Sequence, residues 1–210
     1  MPLPGSAARV PSIRPPPDTL CLDYANTLAW RGSTAPVEAL GALPDLLTWL
    51  AKAGHVALPA SDAAAGWPQR HPKRAARLFA EAIALRETIC RCCYALASGN
   101  AIAATDFAAL NAALAAAPPR HCLVRDGDGF AWAADPMPPA APVLLAPVLW
   151  SAADLLACSG RIRVRRCANA QCLWLFIDRS KTGNRRWCDM AACGNRAKAQ
   201  RHYRRTRAAC

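Results

Sequence analysis

Hydrophobic residues recur at every third or fourth position through most of residues 18–160, the spacing that places them on one face of a helix. The pattern predicts one helix that begins at Thr19, with Leu20, Tyr24, Thr27 and Leu28 on one face, and further helices over about 36–53, 72–98, 104–116 and 141–158. Between the last two the period changes to two, because residues 121–125 and 130–134 alternate on either side of Asp126-Gly-Asp-Gly129. That arrangement is typical of a β-hairpin. The predicted fold class is therefore mainly α, with a helical N-terminal domain that contains one β-hairpin.

Composition divides the chain into three parts. Residues 1–17 are rich in proline and predict a flexible arm, residues 18–160 form the helical domain, and residues 161–210 hold a cysteine cluster among basic residues. Residues 1–160 carry twelve Lys/Arg and twelve Asp/Glu, so their charges cancel. With balanced charge and apolar helices of its own, the helical domain is expected to fold without the C-terminal part.

The helical domain shows no pattern typical of catalysis. It contains no Ser-His-Asp set, phosphate-binding loop or HExxH helix, and the prediction is that the protein is not an enzyme. The alternative is a small-molecule-binding enzyme domain, for which Asp23 and Asn26, one helical turn apart, are the best polar candidates. Helix capping or an interhelical hydrogen bond is the interpretation favoured for both residues.

Two cysteine pairs in the C-terminal part have the spacing of a metal site. Cys167 and Cys172 enclose four residues, Cys188 and Cys193 enclose four more, and fifteen residues separate the pairs. This layout predicts one structural Zn²⁺ per chain, because four thiolates leave no open coordination position for catalysis. A knuckle, then a hairpin formed by about 173–177 and 185–187, then a helix from Gly194 that begins beside the last ligand, predicts a small treble-clef-like zinc finger.

The remaining cysteines are predicted to be ordinary reduced thiols. The N-terminus lacks the basic flank and apolar run of a signal peptide, so a cytoplasmic location without disulfides is expected. No stretch is apolar enough to predict a membrane span. Small buried thiols are the interpretation for the others in residues 1–160, which are Cys21, Cys90, Cys92, Cys93, Cys122 and Cys158.

All of the net charge lies in residues 161–210, which carry fourteen Lys/Arg against two Asp/Glu. A basic surface of this density predicts a polyanionic partner, DNA first and RNA as the alternative. Lys198, Arg201 and Arg205 form one stripe on the predicted terminal helix. The predicted phosphate contacts are this stripe together with Arg185, Arg186, Arg196 and Arg204. The aromatic residues Trp174, Phe176 and Trp187 are expected to form the small core of the finger rather than to stack on bases.

Two motifs resemble known families. Cys193-Gly-Asn-Arg196, with its surroundings from Arg166 to Lys198, closely resembles the CGNR zinc finger, and Leu22-Asp-Tyr-Ala-Asn-Thr27 resembles the opening motif of the ABATE domain. The resemblance implies a bacterial, stress-linked transcription regulator with a DNA-binding finger. It also implies that Cys167, Cys172, Cys188 and Cys193 are the metal ligands. A homodimer is possible because one finger offers little surface for specific recognition, and no effector is implied.

Overall fold

Most elements of the fold are short, apart from one helix of 26 residues. The computed structural model describes residues 12–13, 18–53, 66–133, 137–199 and 206, so most of the predicted arm lies outside the described residues. The helices are α1 (Leu20–Ala25), α2 (Leu43–Lys52), α3 (Trp67–Arg70), α4 (Pro72–Ala97), α5 (Ala104–Ala116), α6 (Ala141–Leu144) and α7 (Ala146–Ala157). The strands are β1 (Ser12–Ile13), β2 (Leu28–Ala29), β3 (Val37–Glu38), β4 (Leu123–Asp126), β5 (Gly129–Ala133), β6 (Val164–Arg166) and β7 (Leu175–Ile177). A π-helical turn, Met190–Gly194, then continues as helical residues 195–199.

The long helix α4 is the centre of the helical domain. Its sequence has no glycine and no proline after Pro72, and most of its residues are good helix formers. It ends just before Gly99, whose φ of 69° is a conformation that glycine adopts without steric cost. Helices α1, α2, α5 and α6 pack against it. Its core-facing positions, spaced by three or four residues, include Leu78, Ala82, Ile89 and Cys93. The helix predicted over 72–98 is confirmed.

The predicted β-hairpin is also confirmed. Strands β4 and β5 are antiparallel and pair Asp126 with Gly129 across a two-residue turn. Gly127 in that turn has a φ of 60°, which explains why the turn contains glycine. Strand β1 adds to the free side of β5, so the sheet has the order β1-β5-β4. The prediction of a flexible arm was wrong for Ser12–Ile13, because they form β1; two residues are too few to show an alternating pattern.

Three predicted helix boundaries were wrong. The helix predicted over 36–53 begins at Leu43, because β3 instead pairs antiparallel with β2 in a small hairpin. The Asp45 carboxylate accepts the N–H groups of Gly41 and Ala42 at 2.9 and 3.0 Å and so fixes the start of α2. That hairpin also ends α1 at Ala25, before Leu28. The helix predicted over 141–158 is divided into α6 and α7 beside Pro147, which has no N–H to continue the ladder of α6.

The cysteines of the helical domain are free thiols of two kinds. Cys21 on α1 and Cys90, Cys92 and Cys93 on α4 are buried, as predicted. The prediction was wrong for Cys122 and Cys158, which are exposed. Cys122 precedes the outer strand of the sheet, and Cys158 follows the last turn of α7, so neither position reaches the core.

A buried arginine on α4 joins the small β2–β3 hairpin to the helical layer. The Arg86 side chain is only 2 % exposed, and its guanidinium forms two hydrogen bonds of 2.7 Å to the carboxylate of Glu38. It also bonds the Thr27 hydroxyl at 3.1 Å and the Glu87 carboxylate at 3.0 Å. Arg31 pairs with the other side of Glu87 at 2.7 Å. Two cations and two anions therefore balance each other, which makes burial of the guanidinium tolerable.

The β6–β7 hairpin belongs partly to the core of the helical domain. Val164 on β6 and Leu175 and Ile177 on β7 are buried in the same hydrophobic cluster as the residues of α1 and α4. Phe176, between them on β7, faces the opposite way, toward the cysteine cluster. Strand β7 is therefore shared by two hydrophobic clusters. In the part of the chain described, no helix is long and apolar enough to cross a membrane.

Candidate metal centre

The four cysteines of the two predicted pairs meet in space. Their Sγ atoms all lie within 4.8 Å of one another. The Cys188 Sγ is 3.7 Å from the Sγ of Cys172 and 3.7 Å from that of Cys193. A tetrahedral site with Zn–S bonds of about 2.3 Å would separate its sulfurs by about 3.8 Å. The sulfurs are therefore arranged as a four-thiolate metal site requires, and they can hold a metal ion.

The first pair lies on a tight knuckle that is fixed by backbone hydrogen bonds. The Cys167 N–H donates to the Trp174 carbonyl at 2.7 Å, and the Cys172 N–H donates to the Asn169 carbonyl at 2.9 Å. Leu173 then takes a φ of 58°, which turns the chain from the knuckle into β7. The Asn169 side chain donates to the Cys193 Sγ at 3.6 Å and so links the knuckle to the second pair.

The second pair spans the start of the C-terminal helix. The Asp189 carboxylate accepts the Ala192 N–H at 2.7 Å, a side-chain N-cap that sets the helix start four residues before Cys193. Gly194 follows, and a Cβ there would lie 2.8 Å from the Met190 sulfur. The last ligand is therefore supplied by the first turn of a helix, as predicted, but the predicted start at Gly194 was wrong, because the Asp189 cap starts the helix at Met190. Helical geometry continues through residue 199, and most of the predicted remainder, including Arg201, Arg204 and Arg205, lies outside the described residues.

Ionisation differs among three of the clustered thiols, Cys167, Cys172 and Cys188. Burial opposes ionisation of Cys167, but the N–H groups of Cys188 and Asn169 more than offset it and lower the pKa of Cys167. Burial raises the pKa of Cys172 to about 12, and the neighbouring Cys167 adds to the rise. Burial and the same neighbour raise the pKa of Cys188 as well. A bound cation would favour the ionised form of Cys172 and Cys188, whose pKa is raised without one.

Three aromatic rings pack against the cysteine cluster. Phe176 and Trp187 pack against it, as predicted. Trp174, predicted to join them, remains 39 % exposed. The third ring is Trp30, which comes from the helical domain and has a φ of 54°. No pattern near Trp30 indicated this role, because its partners are more than a hundred residues away in the chain.

The turn between β7 and the second cysteine pair is organised around a buried carboxylate. Asp178 accepts the Ser180 hydroxyl at 2.6 Å and the N–H groups of Ser180 and Arg185 at 3.0 Å each. The hydrogen bonds from Ser180 lower the pKa of Asp178. The prediction that 185–187 pairs with 173–177 was wrong, because Asp178 draws the chain into a loop and β6 takes the place beside β7.

The predicted phosphate-binding arginines of the described residues lie on aromatic rings. The Arg185 guanidinium lies 4.6 Å from the Phe176 ring centroid and donates to the carbonyl oxygens of Trp187, at 2.9 Å, and Cys188. Arg186 lies 5.5 Å from the ring centroid of Trp187. Arg196 lies 4.6 Å from that of Trp30, so it spans the finger and the helical domain. Lys198 is exposed and makes no ion pair among the described residues.

The helical domain holds the finger through backbone contacts. The Asn26 side chain donates to the Leu175 carbonyl at 2.9 Å and accepts the Leu175 N–H at 3.0 Å, as a neighbouring strand would. The Tyr94 hydroxyl donates to the Leu173 carbonyl at 3.0 Å. The Gly32 N–H donates to the Gln171 carbonyl at 3.1 Å, and a Cβ at Gly32 would lie 1.9 Å from the Ala170 oxygen. Asn26 is the C-cap residue of α1 through its backbone N–H, as one of the two favoured interpretations predicted, and its side chain bonds β7 rather than another helix.

Replacing Asn26 with alanine is expected to destabilise the whole chain. Both backbone polar groups of Leu175 would lose their partners in a partly buried position, which costs about 2 kcal/mol in the free energy of unfolding. Denaturant unfolding followed by circular dichroism measures this change. Asn100→Ala, at an exposed position after α4, is the matched control and should change stability by less than about 0.5 kcal/mol. Equal stability of the two variants would show that the amide does not hold the finger.

These features define a class of protein: a helical domain that carries a four-cysteine finger docked on its first and longest helices. Comparison with family models gives the same division. Residues 18–158 match ABATE, described as "Putative stress-induced transcription regulator", and residues 163–206 match the CGNR zinc finger. The chain belongs to the ABATE family and carries the CGNR finger after that domain. Neither family is described as an enzyme. No curated protein matches the chain.

Proposed function

We propose that the protein is a DNA-binding transcription regulator whose finger contains one structural zinc ion. The observation that carries the proposal is the surface charge of the finger. In the described range 161–199, ten Lys/Arg side chains are exposed. The acidic residues in that range are Asp178, which is buried, and Asp189, which caps a helix. A surface with many exposed cations and few acidic side chains attracts a polyanion. The description of ABATE as a transcription regulator favours nucleic acid as that polyanion.

Zinc is the metal that fits the four thiolates. Soft sulfur ligands in tetrahedral arrangement favour zinc over magnesium or calcium, which prefer oxygen. Cys167, Cys172, Cys188 and Cys193 would be its ligands. With all four positions filled by protein, the ion would support the fold and would have no place for a substrate.

The structure distinguishes two sets of cations on the finger. Arg185, Arg186 and Arg196 lie on aromatic rings, and Arg185 also donates to carbonyl oxygens, so their positions are fixed by the protein. We infer that, toward duplex DNA, these three arginines orient the finger and contribute electrostatic attraction more than direct phosphate contacts.

A second set surrounds the 180–184 turn. Arg163 bonds the Ser180 carbonyl at 3.4 Å and Arg165 bonds the Gly183 carbonyl at 2.9 Å, while Lys181 is exposed between them. These three residues, called here the turn patch, were not singled out from the sequence. The proposed phosphate contacts are the turn patch and the stripe formed by Lys198, Arg201 and Arg205.

Binding to duplex DNA is expected to depend steeply on salt. About four to six phosphate contacts predict a slope of roughly −4 to −5 in a plot of log affinity against log salt. Replacing Arg201 and Arg205 with alanine should weaken binding to all duplexes alike and flatten the slope by about two. Fluorescence anisotropy with a labelled duplex at several salt concentrations measures both quantities.

The matched control removes two cations elsewhere. Lys73 and Arg77 are exposed on α4, and their double alanine variant loses the same charge. It should keep the wild-type slope. Equal weakening by both double variants would mean that net charge alone attracts DNA and that the finger has no special role. Structured RNA bound much more tightly than any duplex would make RNA the partner instead.

A further inference from the structure

A groove of about 330 Å³ lies where the finger meets the helical domain. One wall is α1, with Asp23 and Asn26, and the other is β7 with the preceding Trp174. Arg179 and Arg185 are also among the lining residues. The volume is at the lower end of the range for small-molecule sites, about 300–1,000 Å³. Cys188 of the cysteine cluster also borders the groove, but neither the metal site nor the proposed duplex contacts use Asp23, Trp174 or Arg179.

The carboxylate of Asp23 is the polar group of the α1 wall. The partial burial of this side chain raises its pKa, and a hydrogen bond with the Thr19 hydroxyl opposes that rise. No ion pair to Asp23 occurs among the described residues, whereas its neighbour Asp18 is paired with Arg179. A carboxylate can accept about four hydrogen bonds. Asp23 therefore keeps room for donors from a ligand.

Trp174 supplies an aromatic face on the opposite wall. Its ring is 39 % exposed, whereas its neighbours on the cysteine cluster, Phe176 and Trp187, are largely covered. A half-exposed indole in a groove is a surface on which a planar ligand can stack.

The two arginines give the groove a positive side. Arg185 is held over the Phe176 ring, and Arg179 contacts Asp18. A guanidinium has five N–H donors, so each of the two arginines keeps donors that these contacts do not use and that a ligand could bond. An anionic group is therefore favoured beside these two arginines, which line the same groove as Trp174.

We propose that this groove binds a nucleotide whose base carries an exocyclic amino group. The base stacks on Trp174, its amino group donates to Asp23, and its phosphate lies against Arg179 and Arg185. A carboxylate accepts from the amino group of adenine or cytosine but repels O4, the carbonyl oxygen that uracil and thymine carry where cytosine has its amino group. The nucleotide is either free in solution or an unpaired residue of a strand, and both share this chemistry. The proposal does not depend on the duplex contacts proposed above.

Calorimetric titration of the full zinc-loaded chain tests the proposal with AMP, CMP and UMP. AMP and CMP should bind at least about 10-fold more tightly than UMP, since only their bases offer an amino donor. Trp174→Ala should weaken AMP binding on the order of 10-fold or more, the usual effect of losing one stacked base. Phe130→Ala, which removes a ring that is 60 % exposed on β5, is the matched control and should bind AMP as the wild type does.

A second variant keeps the shape of the groove. Asp23→Asn can both donate and accept, so it should reduce the preference for AMP over UMP at least several-fold while stacking continues. Asp128→Asn, in the exposed β4–β5 turn, should leave the preference unchanged. Zinc content and the unfolding midpoint show that each variant is folded. Should Trp174→Ala fail to fold, Asp23→Asn alone decides the test.

A short oligo(dA) in place of AMP separates the two sources of the nucleotide. Tighter binding of the oligonucleotide, weakened by Trp174→Ala, would place the groove on the path of a single strand. Equal or weaker binding than AMP would make the free nucleotide the ligand, as for an effector. Three results would each overturn the proposal: no binding of AMP or oligo(dA) at millimolar concentration, equal affinity for AMP and UMP, or unchanged AMP binding in both groove variants.

Discussion

Cys188→Ser is expected to abolish stoichiometric zinc binding and to unfold the finger. The Cys188 sulfur lies 3.7 Å from the sulfurs of Cys172 and Cys193, so the variant loses one of four ligands from the middle of the cluster. Apparent zinc-binding free energies of small fingers are about 10–16 kcal/mol, and most of this is folding free energy. We therefore expect zinc to fall from about one equivalent per chain to nearly none. The loss of stability should be about 5 kcal/mol or more. Metal analysis and thermal unfolding measure the two effects.

The matched control is Cys158→Ser, which changes an exposed thiol outside the cluster. It should retain one equivalent of zinc and the wild-type unfolding midpoint. If Cys188→Ser also kept both, the four-cysteine assignment would be untenable.

Strand β7 contributes to the core of the helical domain as well as to the finger, so unfolding of the finger should also destabilise the helical domain. Val164, Leu175 and Ile177 would leave the core of the helical domain when the hairpin unfolds. The expectation that residues 18–160 fold alone stays untested, and this packing weighs against it. Circular dichroism of Cys188→Ser distinguishes the cases, since loss of signal from α4 would report unfolding beyond the finger.

Replacing Arg86 with alanine is expected to cost about 3 kcal/mol in the free energy of unfolding. The variant leaves Glu38 without its bidentate partner and creates a cavity beside Thr27. Glu38 is partly exposed and regains some hydration, which places the cost at the lower end of the range for broken buried pairs. Urea unfolding measures it. Arg77→Ala removes an exposed arginine paired with Glu81 on the same helix and should cost less than about 0.5 kcal/mol.

The ion pairs of Arg86 and Arg31 with Glu38 and Glu87 should make the free energy of unfolding depend on pH in the acid range. Burial opposes ionisation of Glu38 and Glu87, but hydrogen bonds from Arg86 and Arg31 outweigh it, so the pKa of both carboxyls is lowered in the folded state. Their contribution is complete above the unfolded pKa of about 4.3 and is lost as pH falls through the folded pKa. Arg86→Ala should therefore lose less stability than the wild type between neutral pH and pH 3. An identical decline in both would show that these pairs do not supply the acid dependence.

Patterns within one element were predictable from the sequence, and contacts between distant elements were not. The periodicity of α4, the Asp126–Gly129 turn and the spacing of four cysteines each lie within a short stretch, so local rules identified them. Arg86 was missed because long charged side chains are seldom buried, and only its partners 48 and 59 residues away show why it is.

The finger shows the same limit. Its ligands were predictable, but its hairpin partner was not, because the Asp178 carboxylate reorganises the loop in a way that no spacing rule describes. Trp30 and Asn26 completed the finger from more than a hundred residues away. Three of the arginines predicted to contact phosphates rest on aromatic rings, which no local pattern indicates. The turn patch was not predicted, because its members belong to separate segments.

The close approach at Gly32 limits how such a finger could be exchanged between relatives. A Cβ at that position would lie 1.9 Å from the Ala170 oxygen, so any other side chain would push the knuckle away from the helical domain. A chimaera that grafts a foreign finger onto this helical domain therefore has to bring its own version of the loop around Trp30 and Gly32. In evolution, substitutions in that loop and in the knuckle are expected to occur together, because the two segments fit each other closely.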